Sequence, residues 1–177
     1  LHLIKEEALI AQNCFDLNFR ISKEEVARVN EILGKFVGNH CFWNFTHLEK
    51  NAHISGTFRK IFEFKVACNA EPRMIEGVEF LVLTVHGAAF MIYQIRKMIG
   101  FLLAVYQGHY DMSIFDKALS KTTRMSVPTA PSNGLLLDNM YYTNYNSQHN
   151  TQQYGGLERN LVAANFEKMK NNLYKFI

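Results

Sequence analysis

One arginine stands inside the most apolar stretch of this sequence. Residues 87–100 read Gly-Ala-Ala-Phe-Met-Ile-Tyr-Gln-Ile-Arg-Lys-Met-Ile-Gly. Wound as a helix at about 100° per residue, Met91, Ile92, Ile95, Met98, Ile99, Leu102, Leu103, Val105 and Tyr106 cover well over half the circumference. A helix this apolar is largely buried. Arg96 borders the apolar arc, and a buried guanidinium demands a carboxylate or phosphate partner, because leaving it unpaired is strongly destabilising. Periodicity alone leaves a second reading open, in which Arg96 and Lys97 lay their stems on the apolar surface and reach solvent. Gly100, one turn on, weakens a helix by about 1 kcal/mol relative to alanine. It also leaves space beside Arg96 for something to approach.

Two other segments carry chemistry-capable groups. Pro131-Ser132-Asn133-Gly134-Leu135-Leu136-Leu137 follows a proline-rich loop, and its glycine permits close backbone approach just before an apolar residue. An ordinary strand entry would look the same. Upstream, His40-Cys41-Phe42-Trp43-Asn44-Phe45-Thr46 offers rings and an amide suited to stacking on nucleobases. An aromatic core loop is the alternative. The three cysteines, Cys14, Cys41 and Cys68, are widely spaced and form no Cys-x-x-Cys pair. That usage fits free thiols in a reducing compartment and matches no zinc-ligand spacing, so no metal site is expected.

These groups need elements to position them. Cys14 to Ile21 alternates polar and apolar residues, a half-buried strand pattern. Ser22-Lys23-Glu24-Glu25 is a capping box, and the helix it opens carries Val26, Val29, Ile32, Leu33 and Phe36 on one face, ending near Gly38. Residues 40–50 read as a packed aromatic loop. Residues 57–69 read as a strand with Phe58, Lys60, Phe62, Phe64 and Val66 of one parity, forming a hairpin with a second strand over 78–86. A helix is expected over 88–106, a shorter one over 111–120 capped by Asp111, a proline loop over 122–133 and a last strand over 134–142. A polar stretch then leads to an amphipathic helix over 157–176. Without the extras the order is βαββαβ, an α+β ferredoxin-like plan with an antiparallel sheet backed by helices, which RNA-recognition modules share.

Composition narrows the function classes. With 48% hydrophobic and 20% charged residues the chain is globular, not disordered or collagen-like. A net charge of +3 permits a nucleic-acid partner without demanding one. The longest uncharged run, residues 81–95, is too short and too polar to span a bilayer, and no signal peptide is visible. The expectation is an intracellular protein without a membrane partner. The chain starts at Leu1 in place of Met, which suggests part of a longer protein.

Taken together, three motifs resemble the carboxyl-terminal half of tRNA pseudouridine synthases of the TruA class, in particular the eukaryotic nuclear and mitochondrial branch. They are Asn39-His40-Cys41-Phe42-Trp43-Asn44-Phe45-Thr46, the run from Phe90 through Arg96 to Gly100, and Val127-Pro128-Thr129-Ala130-Pro131 followed by Gly134-Leu135-Leu136-Leu137. The resemblance runs from about residue 20 to 145. It implies uridine-to-pseudouridine isomerisation in tRNA without a cofactor, started by an aspartate carboxylate. It implies that Arg96 pairs with that aspartate, that Leu135 packs at the uracil pocket and that Phe90 and Met91 help wall it. Arg59, Lys60, Lys65, Arg73, Lys97 and Arg124 are candidate phosphate contacts.

The family's aspartate lies in an upstream Arg-Thr-Asp-x-Gly motif that this sequence lacks. Asp16, Asp111, Asp116 and Asp138 all stand in other contexts. The expectation is therefore a half-domain over 1–145, followed by a polar linker and helix over 146–177. It would be inactive alone and completed by the missing amino-terminal half of the enzyme. Two further readings differ in what they require. A non-catalytic ferredoxin-like RNA-binding module needs Phe62 and Phe64 on an open sheet face. A structural domain predicts a solvated Arg96.

Overall fold

A computed structural model describes residues 20–47, 54–67, 72–75, 77–138 and 140–148. The chain divides into two compact units, one ending at Ala130 and one beginning at Pro131.

In the first unit, Ser22 caps helix α1 (Lys23–Gly34) with both halves of the capping box in place: the Glu25 amide donates to Ser22 Oγ (3.1 Å), and the Ser22 amide donates to Glu25 Oε2 (2.8 Å). Val26, Val29, Ile32 and Leu33 are buried on one face, as the spacing predicts. Phe36 follows, fully buried. Gly38, at φ +121°, turns the chain into strand β1 (Gly38–Cys41) where a loop was expected. A single 3-10 turn, Trp43–Phe45, continues from it. The rings of Phe42 and Phe45 and the Asn44 side chain point inward and are buried. They form core and are not a stacking surface for bases.

A second 3-10 turn, Ile54–Thr57, leads into the central strand β2 (Phe58–Val66). It pairs antiparallel with β1 on one side and with β5 (Leu83–Gly87) on the other. The single parity expected for β2 fails. The register with β5 shifts between Ile61 and Glu63, a bulge that lets Ile61, Phe64 and Val66 all face the core while Phe58 and Phe62 are exposed. An RNA platform built on both Phe62 and Phe64 is thereby excluded, since Phe64 is core. The expected second strand is divided. Val78–Phe80 (β4) pairs with Arg73–Ile75 (β3) in a separate two-stranded ribbon, and only β5 joins the main sheet.

Helix α2 (Gln94–Tyr106) lies beside α1 and is shorter than expected, because residues 88–93 are irregular. Tyr106 Oη donates to Glu25 Oε1 (3.0 Å), and the Arg28 guanidinium lies 5.5 Å from the Tyr106 ring centre. Asn30 Oδ1 accepts the Val66 amide (2.8 Å), tying α1 to β2. Between sheet and helices sits a cluster of rings. Phe36 lies 5.0 Å from Phe115, 5.4 Å from Phe45 and 6.0 Å from Phe101. Helix α3 (Ile114–Ala118) is shorter than expected, and Ser113, not Asp111, takes its N-cap position, without a side-chain bond. Asp111 contributes its backbone carbonyl, which accepts the Ile114 amide (3.0 Å).

The second unit holds a short helix, α4 (Thr143–Gln148). No described residue of 134–142 is in a strand, against expectation. A strand needs a neighbour to complete its ladder, and no described strand pairs with this segment. The expected first strand over 14–21 lies outside the described residues except for Arg20 and Ile21, which are irregular. The helix expected over 157–176 lies wholly outside them.

Candidate active site

Arg96 occupies the first turn of α2 and is half-buried. Its Nε donates to the carbonyl oxygen of Ala130 (2.8 Å), and the Ala130 amide donates back to the carbonyl oxygen of Arg96 (3.1 Å). The expected space beside Gly100 is what allows this pairing. A Cβ on Gly100 would stand 2.3 Å from the Pro128 carbonyl oxygen and 3.2 Å from the Ala130 nitrogen. Residues 128–130 therefore lie directly on the helix backbone, and the loop clamps the arginine.

On its other side the guanidinium lies 5.4 Å from the centre of the Tyr93 ring. Tyr93 precedes the helix with φ +64°, the only positive φ at a non-glycine position among the described residues. This left-handed backbone costs a side-chain-bearing residue about 1–2 kcal/mol. Neighbouring bonds hold it. Gln94 Oε1 accepts the Met91 amide (2.9 Å), the Gln94 amide donates to the Met91 carbonyl (3.1 Å), Thr46 Oγ1 donates to the Ile92 carbonyl (3.0 Å) and the Lys97 amide donates to the Tyr93 carbonyl (2.9 Å).

Among the described residues, neither terminal nitrogen of Arg96 has a hydrogen-bond partner. The guanidinium is thus fixed along its Nε edge and against one face, with its fork unpaired. That fork matches a carboxylate or phosphate bidentately. The arginine is neither fully buried nor simply solvated.

Lys97 does a different job from its neighbour. Its Nζ donates to the carbonyl oxygens of Thr46 (3.1 Å) and Asn44 (3.3 Å), and burial lowers its pKa from the ordinary lysine value. It staples α2 to the 43–46 segment. Asn44 itself is buried and fully used. Its Nδ2 donates to the carbonyls of Ala118 (3.0 Å) and Thr123 (2.9 Å), and its Oδ1 accepts the Met125 amide (3.0 Å). Through this side chain the first motif holds the entry to the proline loop, and that loop holds Arg96.

The other expected site residues are dispersed. Phe90 packs its ring over Gly87, where an added Cβ would stand 2.9 Å from it, and Met91 is half-buried against the core. Arg59 donates to the carbonyls of Gly56 (2.9 Å) and Phe58 (2.7 Å). Lys60 is exposed, 5.4 Å from the Phe62 ring centre. Lys65 is exposed and paired with Glu63 at 2.6 Å. Arg124 is exposed, and Arg73 lies in β3 opposite Phe80. In the second unit Leu135 is 49% exposed, in a turn closed by its amide on the Ser132 carbonyl (3.1 Å).

Sequence reasoning missed Tyr93, Gln94, Asn44 as a clamp, and Ala130. A left-handed tyrosine leaves no compositional trace. Asn44 did leave one, as a lone amide inside an aromatic run, which points to a buried polar hub as readily as to base contact.

A family model described as tRNA pseudouridine synthase matches residues 32–143. This chain belongs to the tRNA pseudouridine synthase family. The matched residues include Arg96, the loop against it and the Asn44 hub. Among curated relatives of the family, the Pseudouridylate synthase 1 homolog of Homo sapiens is 36% identical over 133 residues, covering 75% of this chain and 30% of that protein. That of Mus musculus is 36% identical over 141 residues, covering 80% of this chain and 31% of that protein. The tRNA pseudouridine synthase 1 of Schizosaccharomyces pombe is 31% identical over 159 residues, covering 90% and 28%. The chain thus spans about a third or less of the length of these family members. Among the described residues no helix is long and apolar enough to cross a membrane.

Proposed function

We propose that this chain supplies the arginine-bearing half of an active site that converts uridine to pseudouridine in tRNA. The other half, including the carboxylate nucleophile, comes from an upstream segment of the same enzyme. The observation that carries this reading is the Arg96 fork, held by Ala130 on one edge and Tyr93 on one face, with its terminal nitrogens unpartnered among the described residues.

A carboxylate docked on that fork is oriented by two parallel hydrogen bonds and kept ionised by the adjacent positive charge, as a nucleophile requires. The reaction is an isomerisation and needs no co-reactant. The bond from ribose C1′ to uracil N1 breaks, the uracil turns, a bond from C1′ to C5 forms, and the proton displaced from C5 is balanced by one gained at N1. In this reading Phe90 and Met91 are candidate pocket residues, and Leu135 is a candidate contact of the uracil. Of the cationic candidates, Lys60 and Arg124 are exposed and open to phosphates, and Lys97 acts as a staple. The target uridine leaves its stack to reach the carboxylate. The enzyme works inside the cell, on nuclear or mitochondrial tRNA.

In the longer protein that contains the upstream half, Arg96→Ala lowers pseudouridine formation by about 10²–10³-fold, while tRNA binding measured by filter retention persists. Unchanged activity in that variant removes Arg96 from the site.

A further inference from the structure

We propose that Tyr93 is a positioning residue for Arg96, its ring setting the plane in which the guanidinium meets the catalytic carboxylate. The proposal deepens the reading above and rests on it.

The Nε bond to Ala130 constrains one edge of the guanidinium but leaves the group free to swing about that bond. A second contact is needed to fix the plane, and the Tyr93 ring at 5.4 Å supplies one. The backbone that carries the ring is left-handed at Tyr93, at φ +64°. Such conformations persist when the surroundings over-determine them, and they gather at functional sites. Here the bonds made by Met91, Ile92, Tyr93 and Gln94 hold the turn. Gln94 spends a fully buried amide on it, and its Nε2 finds no hydrogen-bond partner among the described residues.

The local cost has no local return. Tyr93 makes no side-chain cap to the helix it precedes, and it is 45% exposed. Its remaining ring neighbour is His47, edge-on at 6.3 Å, which limits tilting of the tyrosine and so of the plane it offers to Arg96. A fork held in this way loses little freedom when the carboxylate arrives, which is what pre-organisation of a site requires.

The test uses the full-length enzyme with Tyr93→Leu, Tyr93→Gly and Tyr93→Phe, with Arg96→Ala alongside. Tyr93→Gly removes the ring from a backbone that glycine favours, so a fall in its activity is not a failure of the turn to fold. The leucine and glycine variants are expected to lose about tenfold in kcat, with KM for tRNA unchanged. Tyr93→Phe, which keeps the ring, retains wild-type kcat. In Tyr93→Leu the acid limb of the kcat–pH profile moves upward, because a poorly aimed guanidinium holds the carboxyl pKa less far down.

Wild-type kcat in both ringless variants overturns the proposal. So does a rise in KM alone, which would make Tyr93 an RNA contact, or an equal loss in Tyr93→Phe. If Arg96→Ala is inactive while Tyr93→Leu is normal, only the role of Tyr93 fails. If Arg96→Ala is fully active, the arginine reading fails with it.

Discussion

Helices α1 and α2 lie side by side and follow opposite rules. Helix α1 opens on a complete capping box, buries the face its sequence pattern announces and ends at a glycine with open space around it. Helix α2 opens on a left-handed tyrosine without a side-chain cap, buries a glutamine whose Nε2 has no partner among the described residues and carries a glycine in its interior against another backbone segment. Each helix even holds an arginine over a tyrosine ring, Arg28 over Tyr106 at 5.5 Å and Arg96 over Tyr93 at 5.4 Å. One element obeys local preference throughout and serves as scaffold. The other departs from it repeatedly within a few residues of one guanidinium. Departures of this kind concentrate where function outweighs stability.

The comparison breaks most visibly at the two arginines. In the full-length enzyme Arg96→Lys keeps the charge but loses the planar fork, and kcat is expected to fall about 10²-fold. Arg28→Lys leaves kcat within about twofold. Comparable losses from both would erase the distinction between scaffold and site.

The two glycines should respond with opposite signs. At Gly34 an added methyl meets nothing within 4 Å, so Gly34→Ala should stabilise the chain by up to about 1 kcal/mol in urea unfolding. At Gly100 the same methyl would stand 2.3 Å from a carbonyl oxygen. Gly100→Ala should cost about 3 kcal/mol, or displace residues 128–130 and take activity with them.

A smaller effect is expected at the α1 cap. Ser22→Ala removes one half of the box and should cost about 1 kcal/mol, with no change in activity per folded molecule. The smallest concerns Glu25. Its carboxyl is held below the usual carboxylate value by the Ser22 backbone amide first and the Tyr106 hydroxyl second. A folded pKa below the unfolded one gives stability that is present above the unfolded value and lost as pH falls through the folded value. Thermal melts between about pH 6 and pH 3 should therefore show a shallower decline in Glu25→Gln than in the wild type.

What could be read in the sequence follows the same division. Helix α1 was legible from its N-cap through Leu33 because capping box and apolar face agree, but it ends at Gly34, short of the expected breaker Gly38. The central strand was legible as a strand, but not in its facing, since the bulge between Ile61 and Glu63 resets the count and nothing in Phe-Arg-Lys-Ile-Phe-Glu-Phe-Lys-Val announces it. The beginning of α2 was misplaced because Ala88 to Tyr93 has nothing to forbid a helix. The tertiary bond from Thr46 and the local bonds between Met91 and Gln94 hold it otherwise. Around Arg96, its place at the border of the apolar arc and the close approach at Gly100 were legible from helical spacing. What fills the space was not, because residues 128–130 arrive from a loop without periodicity. The strand expected over 134–142 begins on an apolar run, Leu135-Leu136-Leu137, and such a run does not supply a partner.

The reciprocal pairing of Arg96 with Ala130 makes one amide proton a clock. The Ala130 N–H is bonded to the Arg96 carbonyl, so it exchanges with solvent deuterium only when the loop leaves the helix. Each such opening also releases the Nε of Arg96. The exchange rate at this single position therefore counts how often the arginine is unlatched, and it does so in a protein that need not be turning over.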